Sequence, residues 1–209
     1  MRSKSFRRIV EVLNRIERES DRDKAVQEIA LLLKTVDARQ VEILVRIMRM
    51  DFGEASRIVG THLARRIVSE ALASITPLKY CEVEELLQMS KIDEALSRRS
   101  VTILGEELNV DQAYFGILDV CSISGKGSIN PKARRLAGLL NKASNEEAVF
   151  ILSMLLGKLR PVEDELILRA AGEAFYGSVD KGVKMIGEEA FREDFYKAMK
   201  RAVENAEQV

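Results

Sequence analysis

Apolar residues recur at steps of three and four through most of this 209-residue chain, and that spacing constrains the fold more than any other feature. Ile9, Val12, Leu13 and Ile16 fall on one stripe, and Ala25, Ile29, Leu32 and Leu33 on the next. Such stripes mark helices that bury one face. Composition agrees: Leu, Ile, Ala, Glu, Arg and Lys dominate, aromatics are only 5%, and there are three Pro, so most positions carry residues that a helix tolerates well. The one stretch suited to a strand, Val101 to Leu104, is too short to support a sheet. The expected fold class is all-α. The pattern predicts eleven or twelve helices near residues 2–19, 21–35, 38–50, 54–73, 81–89, 91–99, 110–122, 131–142, 145–158, 162–175, 179–189 and 191–206.

Helix starts are legible as caps. Asp37 with Gln40, Asn109 with Gln112, and Ser144 with Glu147 have the capping-box spacing or its Asp/Asn analogue ahead of an apolar run. Asn130-Pro131 places a cap before a proline at the first helical position. A composition break near residues 100–108 divides the chain into halves, so the expected organisation is a single domain, 1–209, with lobes at 1–100 and 108–209. The halves also resemble each other. Leu31 to Ala73 and Leu139 to Phe175 both read as a capped helix, a tight connection and a second helix, which suggests two pseudo-repeated lobes.

The 33 basic and 33 acidic residues cancel. Neutrality argues against a histone-like coat for nucleic acid but leaves room for a local basic face. Cys81 and Cys121 sit in apolar surroundings and are expected to be buried free thiols in a reducing compartment. No apolar run approaches the ~20 residues needed to span a bilayer, and no apolar block follows the basic N-terminus. The expectation is a soluble, cytoplasmic protein with no membrane partner. His62 is the sole histidine, so a two-histidine metal site is impossible and a Ser-His-Asp triad has no supporting motif. The pairs Glu84-Glu85, Glu106-Glu107, Glu146-Glu147 and Glu188-Glu189 are adjacent, point to different faces and read as solvated charge. Neither metal, cofactor nor catalytic residues are expected.

One segment stands apart. From Ser122 to Lys142 the only charged residues are Lys126, Lys132, Arg134, Arg135 and Lys142. Within it Ser-Gly-Lys-Gly-Ser-Ile-Asn-Pro-Lys forms a glycine-rich loop leading into a helix. Such a loop presents backbone N–H groups, the positive end of the helix dipole and the Ser128 hydroxyl to a phosphate. It is not a nucleotide-binding P-loop, because the Gly-x-x-x-x-Gly-Lys-Ser/Thr spacing and the preceding strand are absent. Its other reading is an ordinary connection before a solvated helix.

The residues around this loop carry a family resemblance. Asn109 onward runs Asn-Val-Asp-Gln-Ala-Tyr-Phe-Gly-Ile-Leu-Asp-Val-Cys-Ser-Ile-Ser-Gly-Lys-Gly-Ser, continues through Lys132-Ala-Arg-Arg-Leu-Ala-Gly-Leu-Leu and Asn145-Glu-Glu-Ala, and reaches Leu156-Gly-Lys-Leu-Arg160. In order and spacing, from about 108 to 175, this resembles the N-terminal DNA-binding domain of archaeal and eukaryotic ATP-dependent DNA ligases. The resemblance implies a helical domain of two similar lobes that grips the minor-groove face of nicked duplex through phosphates, with roles in DNA repair and replication. Carried over to this chain, it implies contacts from Gly125, Gly127, Ser128 and Lys132, and a second group at Gly157, Lys158 and Arg160. Lys126, Arg134 and Arg135 join them on charge.

Departures from the family pattern are also visible. Pro161-Val162 stands where the family has Ile-Gly-Val, and Lys91-Ile92-Asp93-Glu94-Ala95 where an acidic-glycine turn is expected. The clamp-binding loop of some archaeal members is missing between 99 and 108. The adenylated-lysine motif Lys-x-Asp-Gly is approached only by Lys91-Ile92-Asp93-Glu94, without its glycine. The sequence thus implies a non-catalytic, sequence-independent module for duplex or nicked DNA, free-standing or part of a longer ligase, that could bring a separate replication or repair enzyme to DNA. The alternative is a helical protein–protein interaction scaffold that has lost DNA binding.

Overall fold

The computed structural model describes residues 5–99, 108–192 and 194–206. Among them are twelve α-helices and no strand, so the fold is all-α. In chain order they are α1 (Phe6–Arg18), α2 (Arg22–Leu33), α3 (Ala38–Met48), α4 (His62–Ile75), α5 (Tyr80–Gln88), α6 (Ile92–Ser97), α7 (Val110–Ser122), α8 (Ile129–Leu140), α9 (Asn145–Leu155), α10 (Asp164–Tyr176), α11 (Val179–Arg192) and α12 (Phe195–Ala206). The strand candidate Val101 to Leu104 lies outside the described residues. No helix among them is long and apolar enough to cross a membrane.

The caps act as their chemistry requires. Asn109 with Gln112 and Ser144 with Glu147 close reciprocal capping boxes, and Asp37 accepts from the N–H groups of Arg39 and Gln40. One expected helix is broken. The span 54–73 divides into a 3-10 helix, Gly53–Ile58, and α4, because Gly60 adopts φ +73° and Thr61 restarts the helix by accepting from Ala64 N–H at 3.2 Å.

The helices assemble into two compact units that interleave in sequence. One comprises Glu11–Asp51 and the chain from Arg160 onward; the other comprises Ser5–Val10 and Phe52–Leu159. The division expected near 100–108 is therefore not the one the packing makes. The reason is that helices pair across the halves. In the first unit α2 packs on α10 and α3 on α12; in the second α8 packs on α4 and α9 on α6. The first unit thus holds most of α1 with α2, α3 and α10–α12, and the second holds the start of α1 with α4–α9.

The two units are built on a common plan. Helices α2 and α8 are of equal length and lie 107 positions apart (Arg22 to Ile129, Leu33 to Leu140). The buried residues of α2 are Ala25, Val26, Ile29, Ala30, Leu32 and Leu33. Those of α8 are Lys132, Ala133, Leu136, Ala137, Leu139 and Leu140, the same positions displaced by that interval. α3 and α9 keep the same interval, from the caps Asp37 and Ser144 to the last residues Met48 and Leu155. Their ends also match. Asp51 N–H donates to Arg46 O at 2.8 Å around Met50, and Lys158 N–H donates to Ser153 O at 2.8 Å around Gly157. Both are Schellman closures about a residue with positive φ.

Each unit has its own core. Ile29, Leu33, Leu44, Ile47, Ile167 and Met199 are buried in the first; Phe6, Ile67, Leu72, Leu96, Leu136 and Ile151 in the second. In the second, the Phe6 and Phe150 rings meet edge-on at 5.9 Å, and Phe6 N–H donates to Leu108 O at 2.8 Å. In the first, ion pairs lace α2 and α3 to α10: Arg22–Glu163 at 2.5 Å, Arg169–Asp23 at 2.8 Å and Arg49–Asp164 at 2.8 Å. Exposed pairs of this kind contribute about 0–1 kcal/mol each, so burial remains the main stabilising term.

Candidate nucleic-acid interface

The loop between α7 and α8 has the shape its glycines require. Gly125 and Gly127 adopt φ +101° and +81°, and a Cβ added at either would meet no atom within 4 Å. Backbone conformation, rather than packing, therefore demands glycine at both. Ser128 N–H donates to Gly125 O at 3.3 Å and closes the turn. Gly125, Lys126 and Gly127 are exposed and Ser128 is half-exposed.

Helix α8 starts at Ile129, before the expected Pro131. Asn130 is thus not the cap, and Pro131 falls in the first turn, where its missing N–H costs no intrahelical bond. Ser128 occupies the cap position, yet its hydroxyl makes no cap hydrogen bond. The first-turn N–H groups of Ile129 and Asn130 have no intrahelical partners by geometry. These N–H groups lie at the positive end of the α8 dipole.

Lys132 corrects the sequence reading. Its side chain is buried at 2% exposure, and Nζ donates to Val120 O at 2.9 Å and Cys121 O at 2.7 Å. Those carbonyls lie in the last turn of α7, where an α-helix leaves its acceptors unpaired. The ammonium closes that helix end and is not presented to a phosphate. Burial lowers its pKa from the ordinary lysine value, with the neighbouring Cys121 opposing. Burial likewise raises the Cys121 thiol, while Lys132 lowers it. A signal was available in the sequence: Lys132 stands on the apolar stripe with Leu136, Leu139 and Leu140.

Arg99, which the sequence reading did not single out, has a similar role. Its guanidinium is buried and donates to Leu140 O, to Ala143 O at 3.1 Å and to Asn145 Oδ1 at 2.9 Å, joining the end of α8 to the start of α9. The two cysteines differ from expectation: both are free and Cys121 is buried, but Cys81 is exposed.

Arg134, Arg135 and Lys142 are exposed and line one shallow groove along α7 and α8, together with Phe115, Asp119 and Leu139. Among the described residues, no ion pair joins Lys126, Arg134, Arg135 or Lys142 to a carboxylate. A short segment of this unit therefore carries four exposed cations without internal partners. Among the described residues, Asp119 is the acidic residue of the groove. The helix positions α7 close to α8 through Gly116, where an added Cβ would lie 2.8 Å from Leu139 Cδ1.

The second expected contact group divides between the units. Gly157 and Lys158 belong to one and Arg160 to the other; all three are exposed. Gly157 has two structural reasons to be glycine. It adopts φ +68° at the end of α9, and an added Cβ would lie 2.8 Å from Gly60 Cα, where Gly60 N–H donates to Leu155 O at 2.9 Å. A DNA contact is not needed to explain it. Lys158 and Arg160 form no ion pair among the described residues.

A family model described as DNA ligase N terminus matches residues 5–171. A probable DNA ligase of Dictyoglomus thermophilum is 24% identical over 188 residues, covering 89% of this chain and 32% of that protein. A DNA ligase of Pyrobaculum islandicum is 27% identical over 187 residues, covering 84% and 32%. One of Sulfolobus acidocaldarius is 29% identical over 190 residues, covering 82% and 31%. The chain thus spans about a third of the length of these relatives.

Proposed function

Because the chain belongs to the DNA ligase N-terminus family, we propose that it is a sequence-independent DNA-binding module that holds duplex or nicked DNA by its phosphates. The observation that carries this reading is the set of exposed cations Lys126, Arg134, Arg135 and Lys142, without ion-pair partners among the described residues, around the Gly125–Ser128 turn and along α8. Cationic side chains and backbone N–H groups that meet phosphates position a protein without reading bases. Lys158 and Arg160 are further candidates, each on its own unit. The adenylation and sealing chemistry of a ligase has no assigned residues here. The module's role is to bring DNA to a catalytic partner, in the same chain or a separate one, in replication or repair.

Fluorescence anisotropy with nicked, intact and single-stranded DNA over a salt series tests the reading. With three to five phosphates engaged, log K should fall against log[salt] with a slope of about −0.9 per phosphate. Lys126→Glu, Arg134→Glu and Arg135→Glu combined should abolish binding to nicked duplex while leaving the helical signal intact. Lys132 is left in place because it is buried against α7, and its loss would lower stability without testing a phosphate contact. Affinity that survives the triple change would favour the scaffold reading or a different surface.

A further inference from the structure

The groove between α7 and α8 holds three features that phosphate contact alone leaves unexplained. The first is Phe115, which is 49% exposed on the wall lined by Arg134, Arg135 and Lys142. It lies off the buried stripe Val110, Ala113, Tyr114 and Ile117 of α7, and its ring meets Tyr114 edge-on at 5.5 Å. The second is Gly138, inside α8. A glycine there weakens the helix relative to alanine. An added Cβ would meet nothing within 4 Å, so no packing contact requires it. The corresponding position of α2, 107 residues earlier, is Leu31, 60% exposed and lining the groove of α1 and α2. At this place one groove carries a leucine side chain on its lining and the other carries none. The third is Asp119, a carboxylate in a basic setting.

Taken together, these features describe a nucleotide rather than a phosphate. We propose that the α7–α8 groove binds one unpaired nucleotide of a single-stranded segment. Its base lies on the Phe115 ring in the space left by Gly138, and its phosphates are held by Arg134, Arg135 and Lys142. Base–aromatic stacking beside backbone-tracking cations is the general device for holding single strands. Asp119 accepts from the N–H groups of the base edge, which thymine lacks on its exocyclic positions and adenine and cytosine possess. A paired base in duplex presents no free face to Phe115, so this site adds the recognition of a frayed end, gap or flap to the duplex binding on which it rests.

The test compares three probes on the whole chain: nicked duplex, a short deoxyadenosine oligomer, and an abasic oligomer of equal length that keeps the phosphates. Wild-type protein is expected to bind the deoxyadenosine oligomer more tightly than the abasic one. Phe115→Ala should weaken that binding on the order of tenfold while leaving nicked duplex and abasic oligomer unchanged. Gly138→Leu, which copies Leu31, should do the same by filling the groove. The chain has no tryptophan, so Phe115→Trp supplies a single tryptophan that can be excited apart from the tyrosines. It should retain affinity and be quenched by the deoxyadenosine oligomer but not by the abasic one. Equal binding of both oligomers, no loss in Phe115→Ala, or no quenching overturns the inference while duplex binding stands. Failure of wild-type protein to bind any of the three removes the DNA-binding reading and this one with it.

Discussion

The groove between α1 and α2 and the groove between α7 and α8 are formed by corresponding helices and have similar volumes, ≈ 360 and ≈ 420 Å³. Their charges are arranged in opposite ways. In the first, Arg15 pairs with Glu28 at 2.8 Å and Lys24 with Asp21 at 4.0 Å, so the cations are neutralised within the unit. In the second, Arg134, Arg135 and Lys142 have no internal partner among the described residues. The intervals sharpen the contrast. Arg15 and Asp119 are 104 positions apart, as are the starts of α1 and α7, while Glu28 and Arg135 are 107 apart, as are α2 and α8. The same two places therefore carry charges of exchanged sign. Core positions repeat because each must fill a closed space, whereas exposed positions are held to no such condition and diverge. A repeat can keep its framework in two copies and place its binding chemistry on one.

The largest effect is expected at the buried position where α2 carries an apolar residue and α8 a charged one, Ala25 against Lys132. Lys132→Met should destabilise the protein by about 3 kcal/mol, since two carbonyls of α7 lose a charged donor in a buried site; urea unfolding near neutral pH measures it. Burial holds the folded-state pKa of Lys132 below the ordinary lysine value. Between the two values the unfolded chain binds more protons, so wild-type stability should rise relative to Lys132→Met as pH increases toward about 10. A constant difference across that range would remove the depressed pKa from the account.

Next in size is the exchange of surface chemistry. Arg134→Gln with Arg135→Glu installs the residues found at Gln27 and Glu28. It should weaken nicked-duplex binding roughly ten- to hundredfold at moderate salt and flatten the salt dependence by about two units of slope. An unchanged slope would locate the phosphate contacts elsewhere.

Smaller still is the exchange at the helix ends. Met50 holds φ +52° without being glycine, so Met50→Gly should raise stability by about 1 kcal/mol. Gly157→Ala should lower it by more, because its Cβ meets Gly60. Thermal denaturation of both variants reads the pair, and a gain from Gly157→Ala would show that the two closures are not equivalent. The least effect is expected for Glu28→Arg, which breaks an exposed ion pair and should change stability by a few tenths of a kcal/mol. If it strengthened DNA binding as much as the double change at 134 and 135 weakened it, net charge rather than groove identity would govern affinity.

The helices were legible because their signals are local. Stripes, capping boxes at Asn109 and Ser144, and the glycine turn at 125–127 act over three or four residues. The break within 54–73 was missed because the apolar pattern ran across it, although Gly60 and Thr61 supplied a stop and a cap. Of the candidate site, the exposure of Lys126, Arg134 and Arg135 followed from their place off the stripe of α8. Lys132 lay on that stripe, and its charge outweighed its position in the reading. Arg99 and the contact of Gly60 with α9 had no local signal, since each reaches atoms far along the chain: Arg99 on Leu140 and Gly60 on Leu155.

From the order of its amino acids alone, this chain determines an all-helical fold, the places where helices begin, and a basic segment in a neutral protein. Only the tertiary structure decided that α2 meets α10 and α8 meets α4, that one lysine is enclosed by carbonyls, and that the cations of one of two matching grooves have no ion-pair partner among the described residues. The physical reason is range. Backbone preference and amphipathic spacing act within a few residues, whereas burial and charge pairing depend on which distant surfaces exclude water from each other.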